Sequence, residues 1–141
     1  EDELLPAYPI DDAGHATVPE GVIELEADAF SGCRSLVSLT LPASLTRIAA
    51  RAFAGCSSLT ALTLPASLAT IGDRAFDGCS SLTSLTLPTS ITTIGAHTFY
   101  GCSSLATLTI VSDRTEPRVL TRERPFDTRA VLQALRRSRG A

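Results

Sequence analysis

Four cysteines, Cys33, Cys56, Cys79 and Cys102, recur at a constant interval of 23 residues, and His15 and His97 are the only two histidines of the chain. Thiols could ligate zinc or close disulfides, and imidazoles could move protons. Four thiolates around one zinc ion lie about 4 Å from each other, whereas four units stacked at strand spacing spread the first and last thiol over about 15 Å. One ion cannot gather them. Neighbouring rungs come near the Cα separation that a disulfide allows, but parallel side chains would have to turn toward each other and distort the ladder. Small hydrophobes buried beside a glycine turn fit the spacing without distortion, so the number of cysteines says nothing about compartment.

His97 reads as solvated. Subtracting the 23-residue interval from His97 gives Arg74, Arg51 and Asp28, and a position that accepts Asp, Arg and His is one open to water. Acid–base work would need a positioned partner as well. The pairs Ser57-Ser58, Ser80-Ser81 and Ser103-Ser104 repeat with the same interval and are expected to bond backbone at the turn into a strand. No glycine-rich phosphate loop, paired carboxylate or nucleophile elbow accompanies them. The sequence therefore offers no catalytic residue, no metal ligand set and no cofactor site, and it reads as non-enzymatic.

What must position these side chains is the repeat itself. The units run 18–40, 41–63, 64–86 and 87–109, and the middle two read LPASLTRIAARAFAGCSSLTALT and LPASLATIGDRAFDGCSSLTSLT. Each column keeps one chemical type. Phe30, Phe53, Phe76 and Phe99 form one column, and Leu36, Leu59, Leu82 and Leu105 another. Pro19, Pro42, Pro65 and Pro88 form a third. A period of this size means stacked coils, none of which can bury its own apolar stripe, so the folding free energy lies mostly between neighbours.

Within a unit, Leu39 and Leu41 alternate with Ser38 and Thr40, the period of a strand with one buried face. Pro42 lacks an N–H and ends the pairing. A second short strand follows near Leu45 to Ile48, and ARAFAGC turns Ala and Phe inward on one helical turn closed by a glycine. The expected fold is a repeat solenoid of short parallel strands stacked in sheets, with one helical turn per coil and a C-terminal helix. A fifth unit starting at Ile110 fails at once. Val111 stands where Pro is expected, Pro117 where Ile is, Arg122 where Phe is and Pro125 where Cys is, so the array is expected to stop near residue 111.

This pattern resembles the BspA-like class of leucine-rich repeats, whose 23-residue units read much like LTLPASLTTIGDYAFxGCSSL. Leu64 to Thr86 matches nearly position for position, and the likeness covers residues 18–110. The resemblance implies a curved leucine-rich-repeat solenoid, on the surfaces of bacteria and protists or secreted, that acts through protein binding and adhesion. It carries over no binding residue, because the shared motif is scaffold and ligand contacts fall at variable positions.

Those variable positions are the outward columns of the first strand. They hold Ser38, Ala61, Ser84 and Thr107 in one column and Thr40, Thr63, Thr86 and Thr109 in the next. The face is small, polar and without the aromatic or Arg anchors that dominate tight interfaces. A protein-binding face is the first reading. A structural spacer with Thr chosen for strand propensity is the second. Ice binding by the Thr/Ser ladder is a distant third, since only Thr107-Leu108-Thr109 satisfies a Thr-x-Thr rung and leucine-rich arrays curve.

The flanks differ from the array. Residues 1–17 read as an irregular N-terminal lead-in or cap, the coils occupy 18–111, residues 112–126 read as a charged loop or disordered linker, and 127–138 as a capping helix. In that helix Asp127 is the N-cap, Val131, Leu132 and Leu135 form an apolar stripe, and Gly140 follows the end. Charge is lopsided although the net is only −3: residues 1–28 hold nine acids and no base, and residues 112–141 hold eight Arg against four acids. Such ends favour weak head-to-tail self-association. No nucleic-acid partner is expected, because acids interrupt the Arg residues and no stacking aromatics accompany them. The apolar stretches are too short to span a bilayer. Met is absent, so the chain is expected to be a processed or excised piece of a longer product.

Overall fold

The computed structural model describes residues 8–112, 118–121 and 128–140. Each coil contributes a first strand, in chain order β1 (His15–Thr17), β3 (Ser38–Thr40), β5 (Ala61–Thr63), β7 (Ser84–Pro88) and β9 (Thr107–Val111). Between them lie the second strands β2 (Glu24–Leu25), β4 (Arg47–Ile48), β6 (Thr70–Ile71) and β8 (Thr93–Ile94). The chain continues in β10 (Arg118–Thr121) and α1 (Thr128–Gly140).

Pairing follows the repeat. The second strands form one parallel sheet in the order β2-β4-β6-β8, with Leu25, Ile48, Ile71 and Ile94 in register. The first strands form a pair, β1-β3, and a four-stranded sheet ordered β10-β9-β7-β5. Between β3 and β5 the ladder opens into a seam, bridged by Thr60 N–H donating to the Val37 carbonyl at 3.3 Å.

The core is a set of ladders between these sheets. Phe30, Phe53, Phe76 and Phe99 stack with centroids 5.7, 5.3 and 6.3 Å apart and planes within 4° of parallel. Tyr8 continues the column over Phe30 at 6.0 Å. At the opposite end α1 buries Val131, Ala134 and Leu135, and its first hydroxyl, Thr128 Oγ1, donates to the Gly95 carbonyl at 3.1 Å. The coils approach closely enough that a Cβ at Gly72 would sit 2.6 Å from the Ala50 nitrogen.

The helical turn expected over ARAFAGC is realised as successive turns, Ala52 N–H to Ala49 O, Ala54 N–H to Arg51 O and Cys56 N–H to Phe53 O. In between, every second N–H reaches the next coil: Arg51 donates to Asp73 O, Phe53 to Ala75 O and Gly55 to Asp77 O. That alternation requires left-handed backbone at two places. Gly55 takes one, at φ 77°, and Arg51 the other, at φ 59°.

Boundaries differ from the sequence reading, and α1 runs on through Gly140, which the sequence places after a helix ending by residue 138. The lead-in expected over 1–17 ends earlier, because His15–Thr17 pairs with Ser38–Thr40 as a full rung of the ladder. The run expected as loop over 112–126 contains β10, which pairs antiparallel with β9. Val119 and Leu120 are strand-forming residue types, a sequence signal that the surrounding charges masked. Pro88 ends its strand as the last residue of β7 and pairs there with Val111, which keeps an N–H in the proline column. The expected N-cap Asp127 lies outside the described residues.

Candidate functional site

All eight outward residues singled out in the sequence lie on one face. Parallel register stacks Ala61, Ser84 and Thr107 in one row and Thr63, Thr86 and Thr109 in the next. Ser38 and Thr40 continue these rows on β3, across the seam. The strand period turns Leu62, Leu85 and Leu108 into the core and leaves the hydroxyls outside. Ala61 and Thr63 are exposed, and Ser84, Thr86, Thr107 and Thr109 are half-buried.

The face extends by one rung at each end beyond what the columns suggested. On the N-terminal side His15 stands opposite Ser38 and Thr17 opposite Thr40. Both nitrogens of the His15 ring are engaged, Nδ1 with Ser38 Oγ at 2.7 Å and Nε2 with Thr40 Oγ1 at 3.0 Å. A neutral ring donates to one of these hydroxyls and accepts from the other, so His15 fixes the rotamers of two candidate residues. Subtracting 23 from Ser38 and Thr40 points at His15 and Thr17, a signal hidden when the first unit is opened at Val18. On the other side Thr121 stands opposite Thr107 and Val119 opposite Thr109, and Val119 is 55% exposed. The result is six rungs without a carboxylate or guanidinium among these residues.

The second sheet presents a different exterior. Its outward column runs Glu24, Arg47, Thr70, Thr93, with Arg47 Nε 3.4 Å from Glu24. Coil-to-coil stitching there uses hydroxyls on backbone: Ser44 Oγ donates to Val22 O at 2.8 Å and Ser90 Oγ to Leu68 O at 2.6 Å.

The cysteines and His97 stand apart from the face. All four thiols are buried and free, and those of Cys56, Cys79 and Cys102 each lie 3.1 Å from the carbonyl of Phe30, Phe53 or Phe76 in the preceding coil. Burial pushes the thiol of Cys56 up to about 12 and that of Cys102 up to about 11, and raises Cys79 and Cys33 as well. These are thiols held protonated, the opposite of what a nucleophile or metal ligand needs. His97 is exposed and touches the ring of Tyr100 edge-on at 6.1 Å. Its column shares more than solvent. Asp28, Arg51, Arg74 and His97 all have left-handed backbone, with φ between 56° and 62°.

Residues 12–117 match the family model described as BspA type leucine rich repeat region, with six repeat copies. No curated protein matches the chain. Among solved structures it is similar to a leucine-rich repeat protein from Bacteroides ovatus, with 38% identity and a TM-score of 0.61 over 62% of this chain and 23% of that one. A leucine-rich repeat protein of T. pallidum is 29% identical, with a TM-score of 0.56 over 68% of this chain and 58% of that one. A leucine rich cell surface protein from Faecalibacterium prausnitzii is 26% identical, with a TM-score of 0.52 over 79% and 34%. The chain thus spans between 23% and 58% of the length of these three structures. Among the described residues no helix is long and apolar enough to cross a membrane.

Proposed function

Because the chain belongs to the BspA-type leucine-rich repeat family, we propose that it is a non-enzymatic protein-binding or adhesion module whose contact surface is the six-rung hydroxyl face. The observation that carries this reading is the in-register stacking of Ala61, Ser84 and Thr107 beside Thr63, Thr86 and Thr109, uncharged and small. A partner can approach such a surface across several coils without desolvating a fixed charge. Repeat solenoids use their extended sheet surfaces in this way. The likeness to a protein described as a cell surface protein supports a surface-exposed or secreted location.

A spacer without a ligand of its own is the second reading. It is favoured by the lack of a Trp, Tyr or Arg anchor among the eight face residues. Ala61→Arg separates the two. It places a guanidinium in the middle of the face, at an exposed position, while leaving the core untouched. Binding of the wild-type chain and this variant to an immobilised panel of purified extracellular proteins is the measurement. The module reading expects the affinity for any bound member to fall by about tenfold or more. Equal retention of both proteins overturns it in favour of the spacer.

A further inference from the structure

The strands of the second sheet order the charge of this molecule along one axis. At one end of that sheet lies β2, carrying Glu24, with Glu20, Glu26 and Asp28 around it, all exposed. At the other end β8 is covered by α1. The outward side of this helix carries Arg129, Arg136 and Arg137, all exposed, and the helix contains no acidic residue. Three coil-to-coil steps of about 4.8 Å, roughly 14 Å in all, separate β2 from β8. That exceeds the screening length of about 8 Å in physiological salt. Within one molecule the two ends therefore cannot neutralise each other. Near the acidic end Arg47 pairs with Glu24 at 3.4 Å; Arg51 follows Asp28 in its column, but Glu20, Glu26 and Asp28 form no ion pair among the described residues.

We propose that the basic face of α1 docks on the acidic first coil of a second copy of this chain, end to end along the solenoid axis. Opposite charges at opposite ends make the contact heterologous, so each docked copy leaves one acidic and one basic end free and the assembly grows without closing. The contact lies away from the hydroxyl face and does not depend on its having a ligand. It is electrostatic and rim-like, so it is weak, fast and sensitive to salt.

The test is sedimentation velocity on the full chain across the micromolar range. At about 20 mM salt the average mass should rise with concentration past that of a dimer, and at about 500 mM it should fall to the monomer. Arg136→Glu with Arg137→Glu cancels the positive charge of α1, leaving two Arg against two Glu, and Glu24→Arg with Glu26→Arg cancels the charge of Glu20 and Asp28 at the acidic end. Each variant alone should associate about tenfold more weakly, and an equimolar mixture should regain association. These are exposed positions, and a thermal melt like that of the wild type shows that the fold is kept. If either reversal melts early, Arg136→Gln with Arg137→Gln replaces it, with a smaller loss expected in the same direction. A monomeric wild type at low salt, or a mixture no heavier than its components, overturns the proposal. So does a monomer whose α1 arginines instead hold it to phosphatidylserine vesicles, which would give the helix a lipid occupant.

Discussion

At the scale of single residues, the left-handed column Asp28, Arg51, Arg74 and His97 is a strain that the alternating turn bonds impose on ordinary side chains. Left-handed backbone costs an L-residue about 1–2 kcal/mol, least for Asn and Asp and most for β-branched residues. Arg51→Asn should therefore be at least as stable as the wild type in urea, and Arg51→Ile should lose about 1–2 kcal/mol. An isoleucine variant with an unchanged midpoint would show that the bonds from Arg51 N–H to Asp73 O and from Ala54 N–H to Arg51 O do not dictate this conformation. The buried thiols give a second residue-scale consequence. An unfolded chain releases these protons near the ordinary value of 9.0, but Cys102 and Cys56 hold theirs to about 11 and about 12 when folded. The stabilisation is complete below pH 9 and falls as pH rises from there, by about 1.4 kcal/mol per pH unit for each thiol. A urea midpoint that drops between about pH 8 and about pH 10, and drops less in Cys56→Ala with Cys102→Ala, is the expected result. Equal midpoints at both pH values would contradict it.

At the scale of elements, α1 is the piece that the repeat cannot supply. The 23-residue Phe column ends at Phe99 in the sequence, yet Phe99 is only 6% exposed and Leu135 is fully buried. Leu135→Ala should cost about 2–5 kcal/mol. Amide exchange should accelerate first around β8 and only weakly at β1 and β3, because stability in a stack passes between neighbours. Uniform acceleration along the chain would instead mean that the coils unfold as one unit. The capping helix was legible because Val131, Leu132 and Leu135 keep a helical spacing after the array fails. β10 was not. Its four residues sit inside a charged, proline-bearing run, and what makes them a strand is the open edge of β9, which no local pattern encodes.

At the scale of the whole molecule, the 23-residue columns foretold which side chains would stack because identical side chains in adjacent coils meet identical surroundings. Phe, Leu and Cys ladders and the outward Thr rows all follow from that single regularity. His15 escaped for a reason of bookkeeping in register: a coil has no natural first residue, and opening the unit at Val18 cut the strand His15–Thr17 away from the rows it belongs to. The left-handed column escaped because arginine does not advertise such a backbone as glycine does. The seam between β3 and β5 has no visible cause in the sequences of the two strands.

The polarity of β10 carries a further implication. Strands β5, β7 and β9 offer evenly spaced, slanted bonding groups to whatever lies beside them. Because β10 runs against β9, an incoming turn running as β9 does would meet β10 antiparallel, with alternating narrow and wide bond pairs in place of the even ladder between coils. A reversed strip laid on the last rung thus works as a terminator tile. It ends the parallel stacking of these nearly identical coils at β9.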